Sequence, residues 1–596
     1  MMRAAGSRAF VTSVSARGTS ASISVGDGRV PRRSRVRNMI LPAYRAGPDV
    51  AGASGASARW RHVIGIPLVW AGHSFCLARE SRRCIGVRTS FQSSKAVRVG
   101  ALVVAPLALL VALLGWSLST PLASSPDEDF HLASIWCGSG ERDGLCEPAS
   151  DPRLRMVPVE LLNAQRCFDH LPDQAATCPR QPPSLLVETD RGNFDAVYPP
   201  VFYAVMSMFA TSDFSVSLLL MRAFNAVLYV GMMSALFVLL PRARRGTLLW
   251  GSLATIAPFG MFLIPSVNPS SWGVISASTM WLAVLGYYEA RGTRRRVAFA
   301  ALAVLSLILG AGSRSDAAAF VAIAIVIATV LSANPTISYL RRATFPAALF
   351  LVAVAVFLSF GQSNAVNPGV GLSVPLDPTS ATLTPLQLFW INLTRLPELW
   401  AGAFGAPIGT QSLWLGTVTP GVVWFPAILA FGGVVFLGLR ALDWRKAICL
   451  GILGSLLVSL PMIWLMRDQI MVGQGVQSRY LYPILIMLAM MSLFGLAGAN
   501  ARMNVVQLVC IAGVAWAANL VVQWMTLRRY VTGLDARWIN LDNGIEWWWA
   551  ALPIGPMALW VATSVAFAVL LSVCVCYGAV ARHARQFGPS RLLISP

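Results

Sequence analysis

The chain has 596 residues, of which 56% are hydrophobic and only 12% are charged. Soluble proteins carry about twice that share of charged residues, so the composition excludes an ordinary soluble domain. The net charge of +21 would suit a nucleic-acid-binding protein, but residues 1–97 alone contribute +13 of it. Much of the remainder lies in short segments between apolar runs, which is typical of the cytoplasmic loops of membrane proteins and predicts no nucleic-acid partner.

Residues 1–97 are rich in Arg, Ser, Ala and Gly and have no sustained hydrophobic periodicity. This composition predicts a disordered, basic cytoplasmic tail. The apolar patch 62–78 is too short and too interrupted to span a bilayer, and its position is wrong for a signal peptide. An RNA-binding arm and a translation start near Val97 are the alternatives that the sequence leaves open.

From 98 to 578, apolar runs recur at the length of about 20 residues that a helix needs to cross a bilayer. Lipid offers the backbone no hydrogen-bond partners, so such runs have to be helices. The sequence therefore predicts an all-α polytopic membrane domain over 98–578 with about twelve transmembrane helices. The first two spans are predicted at 98–118 and 215–240. Basic residues at alternate turns place both termini, including the tail 579–596, in the cytoplasm of a cell (plasma) membrane protein.

The largest predicted extracytoplasmic loop is 119–197, which holds 13 of the 26 acidic residues and four of the ten cysteines. The following stretch, 198–210, is too short to cross the membrane and begins with Pro199-Pro200, so we predict an interfacial helix there. A second and smaller outer loop is predicted at 362–420.

The four cysteines of the first loop can pair in three ways. Nearest-neighbour pairing joins Cys137 to Cys146 and Cys167 to Cys178, and each closed loop would stabilise the fold by about 2–3 kcal/mol. Disulfides need an oxidising compartment, which agrees with the predicted topology. A metal site is the alternative, although the spacings are unlike those of zinc sites.

Three consecutive carboxylates follow the first span in the sequence SSPDEDFH, residues 124–131. One interpretation is a solvated helix start, with Ser125 as N-cap, Pro126 at the first helical position and the acids complementing the helix dipole. The other is functional, and the cluster could also hold a divalent cation through its oxygens. The functional interpretation predicts that Asp127 and Glu128 are catalytic. It gives Asp129 and His131 possible accessory roles.

Several residues predicted on the same side of the membrane could bind an anionic lipid phosphate opposite these acids. Arginine presents a planar fork that binds phosphate oxygens in bidentate fashion. The alternative for each arginine is a snorkelling interfacial residue or a local ion pair, such as Arg314 with Asp316. Asn268 and Asn392 are weaker candidates. The predicted phosphate-binding residues are Arg222, Arg314, Arg479 and Tyr480.

Four motifs occur in the order SSPDEDFH, YPPVFY, VNPSSW and GVQSRYLYP. Together they resemble the actinobacterial membrane proteins of domain-of-unknown-function family 2142, over roughly 97–578. That family in turn resembles the fold-C glycosyltransferases, which are polytopic enzymes with an acidic motif in the first extracytoplasmic loop. The resemblance implies that Asp127 or Glu128 occupies the place of the catalytic carboxylate, and Pro199-Pro200 that of the interfacial-helix motif. Many fold-C enzymes carry a soluble C-terminal sugar-binding domain, whereas this chain ends shortly after its last predicted span.

The resemblance implies an inverting transfer of a sugar from a polyprenyl-phosphate-linked donor to a glycan or lipid acceptor of the cell envelope. Two other functions stay open at this point. A transporter or flippase of lipid-linked precursors would need ionisable residues near mid-membrane, and the predicted spans are almost free of them. A non-catalytic scaffold could hold other envelope enzymes through the disulfide-bearing loop.

Overall fold

A computed structural model describes residues 95–164, 167–168, 171–179, 182, 184–360, 382–408, 419–496, 503–549 and 552–586. Most of the predicted N-terminal tail, the end of the C-terminal tail and much of the second outer loop lie outside these residues.

The described part of the chain is mostly helical, and most helices are long and apolar. The helices are α1 (Lys95–Leu118), α2 (Glu128–Trp136), α3 (Val159–Asn163), α4 (Val201–Met206), α5 (Phe214–Leu239), α6 (Arg242–Thr255), α7 (Met261–Leu263), α8 (Pro269–Glu289), α9 (Thr293–Ser313), α10 (Ser315–Ser332), α11 (Ile337–Ser359), α12 (Pro385–Gly402), α13 (Gly421–Gly438), α14 (Trp444–Arg467), α15 (Tyr482–Ser492), α16 (Val505–Val531) and α17 (Pro556–Gln586). The strands are β1 (Glu147–Pro148), β2 (Arg155–Pro158) and β3 (Leu186–Thr189).

Within the described residues, nine helices are long and apolar enough to cross a membrane. Two shorter apolar helices, Leu102–Leu118 and Tyr482–Ser492, accompany them. Length and hydropathy therefore support a multi-pass protein without establishing the predicted number of twelve. The helix α8 is buried along almost its whole length, so it forms the centre of the bundle.

Short polar side chains start several of these helices by accepting a hydrogen bond from a free backbone N–H. Asp213 starts α5 and Asp443 starts α14 in this way. Thr384 and Asn504 form capping boxes with a glutamine three residues later, at the starts of α12 and α16. The capped helix α12 lies in the segment that was predicted as a loop.

Arginines near the start of one helix contact the end of another helix. The basic segments between helices therefore lie together at one end of the bundle. The helix α8 ends and the helix α9 begins at this end, so Asn268 at the start of α8 and Arg314 after α9 lie at the opposite end. The contacts are Arg244 to Glu289 at 2.7 Å, Arg295 Nε to the Leu239 carbonyl at 2.8 Å and Arg342 to the Tyr288 carbonyl at 3.3 Å.

Lys446 is fully buried at the basic end and closes the ends of two helices. Its Nζ donates to the carbonyls of Gly438 at 2.7 Å and Ala441 at 3.1 Å, after α13. It also donates to those of Ser492 at 2.6 Å and Phe494 at 2.8 Å, at the end of α15. The last carbonyls of a helix have no partner within it, so the ammonium satisfies groups that would otherwise be buried without one.

The loop between α1 and α5 contains two disulfides and a small antiparallel sheet in the order β1-β2-β3. The disulfides are Cys137–Cys146 and Cys167–Cys178, which is the nearest-neighbour pairing and leaves none of these four thiols free for a metal. The all-α prediction missed the sheet because its strands have at most four residues, too few to show an alternating pattern. The predicted helix at 198–210 is present as α4 followed by a turn of 3₁₀ helix, Ser207–Phe209.

Candidate functional site

The acidic stretch begins α2, but the helix starts two residues later than predicted. The helix starts at Glu128 with Asp127 as N-cap, and Ser125 Oγ has no hydrogen-bond partner within the described residues. The N-cap prediction for Ser125 is therefore wrong. Instead, the Ser125 N–H donates to Glu128 Oε2 at 3.1 Å. Asp127 has a positive φ of 55°, a left-handed conformation that few residues other than Gly, Asn and Asp adopt.

The three neighbouring carboxylates point to three different arginines. Asp127 pairs with Arg479, Glu128 pairs with Arg222 at 3.4 Å, and Asp129 pairs with Arg191 at 2.6 Å. No group of three or more His, Cys, Asp or Glu side chains in the described ranges is arranged to hold a metal ion. The carboxylates are thus separated by their own cations, and the structure does not support the expected divalent cation at this cluster.

The ion pair between Asp127 and Arg479 joins residues that are 352 positions apart. The Arg479 side chain is only 4% exposed, whereas 43% of the Asp127 side chain is exposed. Partial burial alone would raise the pKa of Asp127, but the charge and hydrogen bond of Arg479, with a smaller contribution from Arg191, outweigh it and lower the pKa to about 2. Asp127 is therefore an ionised carboxylate that covers a buried guanidinium.

Arg479 uses only one of its three nitrogens within the described protein. Its Nη2 donates to Asp127 and, at 3.3 Å, to the hydroxyl of Tyr480. Its Nε and Nη1 are buried and have no hydrogen-bond acceptor among the described residues. Buried donors without acceptors are costly in folded proteins, so these two nitrogens are available to a polar ligand or to water.

Arg314 lies beside this pair, at the junction of α9 and α10. It donates to both carboxylate oxygens of Asp316 at 2.8 Å, so the local ion pair proposed as its alternative is present. Its guanidinium also lies between two aromatic rings, 5.6 Å from the centre of Tyr198 and 5.3 Å from that of Tyr480. Such cation–π contacts fix the guanidinium in place. The structure thus brings Arg314, Tyr480, Arg479 and Asp127 into one cluster.

His131 completes the cluster on the α2 side. Its Nδ1 shares a hydrogen bond of 3.0 Å with the hydroxyl of Tyr203. Burial lowers the pKa of His131 to about 3; the charge of Asp127 opposes this shift, and the charges of Arg479 and Arg314 add to it. His131 is therefore neutral at physiological pH.

The depressed pKa of His131 predicts acid sensitivity. An unfolded histidine gains a proton near pH 6.5, whereas the folded one stays neutral down to about 3, so this contribution to stability is present above pH 6.5 and is lost as the pH falls. The loss is at most about 1.4 kcal/mol per pH unit. Thermal unfolding of the purified protein in detergent between pH 7.5 and 4.5 should therefore show a smaller pH dependence for His131→Gln. Equal slopes for both proteins would contradict this.

Glu128 and Arg222 form a buried structural pair rather than part of the cluster around Arg479. Arg222 donates to three carbonyls at the end of α1, those of Ser117 at 2.8 Å, Thr120 at 2.7 Å and Pro121 at 2.9 Å. The Glu128 side chain is fully buried, and burial raises its pKa despite the charge of Arg222. These contacts give Arg222 a role in closing the end of α1, and they leave Glu128 without access to a substrate.

Two asparagines that seemed weak candidates hold the backbone on either side of the cluster. Asn268 caps α8 and donates through Nδ2 to the carbonyl of Pro126 at 2.7 Å, next to Asp127. Asn392 in α12 donates to the Ile470 carbonyl at 2.9 Å and accepts from the Val472 N–H at 2.9 Å, in the segment that leads to Arg479. Both are positioning residues.

Sequence reasoning missed Arg191, Tyr198 and Tyr203. Arg191 is half exposed, pairs with Asp129 and contributes to the low pKa of Asp127. The two tyrosines flank the Pro199-Pro200 pair in YPPVFY, a motif in which only the prolines were given a role. The sequence signal for these tyrosines is the recurrence of aromatic residues in YPPVFY, at the start of the predicted interfacial helix.

Residues 110–489 match the family described as "Predicted membrane protein (DUF2142)". The chain belongs to this family. The matched range begins within α1 and ends within α15, so it contains every residue of the cluster from Asp127 to Tyr480. It is narrower than the predicted resemblance and leaves out α16 and α17. No curated protein matches the chain. Membership of DUF2142 confirms a membrane protein and assigns no activity.

Proposed function

We propose that this DUF2142 protein is a glycosyltransferase that moves a sugar from a polyprenyl-phosphate-linked donor to a cell-envelope acceptor. The observation that carries the proposal is the pair of Asp127 and Arg479. A half-exposed, ionised carboxylate lies on a buried guanidinium that has two nitrogens without acceptors in the described protein. A phosphorylated sugar needs such a combination, with a cation for the phosphate and a base for the attacking hydroxyl.

The proposed topology has twelve membrane crossings. They are the nine long apolar helices, the two shorter ones and the central helix α8. The gathered arginines would mark the cytoplasmic end, together with both termini. The cluster around Asp127 lies at the opposite end, near the two disulfides, which fits an oxidising extracytoplasmic compartment.

In the proposed mechanism, the donor phosphate binds at Arg479, and Arg314 lies beside it. An acceptor hydroxyl attacks the anomeric carbon as Asp127 takes its proton. The bond from that carbon to the phosphate oxygen breaks, and its electron pair leaves with the phosphate, whose growing negative charge Arg479 stabilises. A single displacement inverts the anomeric centre. This is the mechanism that a resemblance to the fold-C enzymes would imply.

An apolar cavity of about 230 Å³ supports a lipid-linked donor. It opens between α10, α11 and α14, and its lining includes Ala319, Val326 and Phe357. Ala319 follows Asp316, the partner of Arg314, by less than one turn of α10, so the lining begins within one helical turn of that ion pair. Its lining is almost wholly apolar, as a polyprenyl chain would require.

Filling this cavity should weaken the binding of a long-chain polyprenyl phosphate. We expect Val326→Trp to lower its affinity about tenfold, which corresponds to about 1.4 kcal/mol, because the indole occupies the space of the chain. Val304→Trp in α9 is the matched control, since Val304 is 37% exposed and Val326 is 36% exposed. Binding of the lipid to the purified proteins can be measured by thermal shift. An equal loss in both variants would argue against this cavity.

The proposed activity can be tested in membrane vesicles that contain the chain. Mass spectrometry should detect a new glycosidic bond on an envelope acceptor when a polyprenyl-phosphate-sugar fraction is supplied. Movement of labelled lipid across the vesicle membrane without a new bond would favour a transporter or flippase. An envelope defect in a deletion strain that the Asp127→Asn chain rescues fully would favour a scaffold.

A further inference from the structure

The guanidinium of Arg479 has one nitrogen that every bidentate ligand must use. Its two flat edges are the Nε–Nη2 edge and the Nη1–Nη2 edge, and both include Nη2. In this structure Nη2 is the nitrogen that contacts Asp127, whereas Nε and Nη1 have no acceptor within the described residues. Nη2 carries two N–H groups, one on each edge, and in this structure it contacts both Asp127 and the hydroxyl of Tyr480. A phosphate that binds Arg479 through two oxygens therefore has to displace one of these two acceptors.

The exposure of the two side chains shows which of them an incoming anion reaches first. Arg479 is 4% exposed and Asp127 is 43% exposed, so the carboxylate lies on the outer side of the guanidinium. The left-handed backbone of Asp127 and the hydrogen bond from Asn268 to Pro126 O hold the carboxylate in this position. An anion that approaches Arg479 from outside meets Asp127 first.

We propose that Asp127 closes the anion site of Arg479, and that the donor phosphate opens it by displacing the carboxylate from Nη2. This inference rests on the proposed function, because it takes the phosphate of a lipid-linked donor as the ligand. It makes the binding of the donor and the release of the base a single event.

The exchange explains how a strongly acidic carboxylate can act as a base. While it pairs with Arg479, Asp127 has a pKa of about 2 and holds a proton poorly. Once the phosphate neutralises Arg479, the charge that lowers this pKa most is lost, so the pKa of Asp127 rises. Asp127 then becomes a better proton acceptor only when the donor is in place.

A double-mutant cycle with farnesyl phosphate as the probe tests the exchange. Binding is measured by calorimetry on the full chain in detergent for the wild type, Asp127→Asn, Arg479→Gln and the double variant. Asn suits the left-handed position, so Asp127→Asn keeps the backbone. We expect Asp127→Asn to raise the affinity about tenfold when Arg479 is present and to change it less than twofold when Arg479 is Gln.

The outcomes separate the exchange from the proposed function. An equal gain in both backgrounds would mean a general charge effect and would overturn the exchange, while the phosphate site at Arg479 would stand. Unchanged binding in Arg479→Gln would overturn the phosphate site and with it the proposed function. Arg479→Met also removes the charge and keeps a long side chain, so it gives the same comparison if the Gln variant does not fold. Thermal unfolding of each variant confirms folding.

Discussion

Replacing Asp127 with Asn is expected to reduce sugar transfer by about a hundredfold or more, because a positioned general base contributes roughly 10²–10⁴ to a rate. The amide cannot accept the proton of the acceptor hydroxyl at neutral pH. It has nearly the same shape, and it tolerates the left-handed backbone at this position. The loss should therefore appear in the turnover rate, while the amount of protein in the membrane is unchanged.

The control for this variant is Asp151→Asn. Asp151 also forms an ion pair, with Arg153 at 2.9 Å, but it lies on the surface of the first loop near the sheet. Its replacement removes the same charge and should leave the transfer rate within a factor of two. The rate is measured as labelled sugar that becomes bound to the envelope acceptor in vesicles. Full activity of Asp127→Asn would remove Asp127 from the mechanism.

Replacing Lys446 with Met is expected to destabilise the fold by several kcal/mol. The substitution leaves the four carbonyls around Nζ without a donor, and each buried acceptor that loses its partner costs about 1–3 kcal/mol. Water can reach some of them, so the sum is an upper limit. The free energy of unfolding in mixed micelles, or the midpoint of thermal unfolding, measures the loss.

The neighbouring Arg445→Met provides the control for Lys446. Arg445 is half-buried and makes a hydrogen bond of 3.4 Å to the Leu331 carbonyl. Its replacement should cost less than about 1 kcal/mol, as for other surface polar contacts. If the two variants lose the same stability, the buried ammonium does not hold α13 and α15 together.

The membrane helices could be predicted from the sequence because each depends on a local property, the hydropathy of about 20 consecutive residues. The disulfides could be predicted because their short loops favour neighbouring cysteines. The sequence placed Arg314, Arg479 and Asp127 on the same side of the membrane, but it did not predict which of them are in contact. The partner of each carboxylate could not be predicted, since Asp127, Glu128 and Asp129 are adjacent in sequence but face arginines from three separate segments.

Arg222 shows the same limit from another side. Hydropathy indicates that a charged residue in an apolar helix needs a partner. It does not indicate whether that partner is a bound ligand or the backbone carbonyls at the end of another helix. The carbonyls that Arg222 contacts lie at and just after the end of α1, about 100 residues earlier in the chain. The helix α12 was missed because its apolar residues are interrupted by polar ones and by Pro397.

The separation of Asp127 and Arg479 along the chain has a consequence for biosynthesis. Translation produces Asp127 early, whereas its cation follows only after α14 has been made. Until then the carboxylate lacks the arginine that its folded position depends on, so a nascent or truncated chain ending before Arg479 has an exposed acidic turn and no anion site. The ion pair can therefore form only after the chain has been made as far as Arg479.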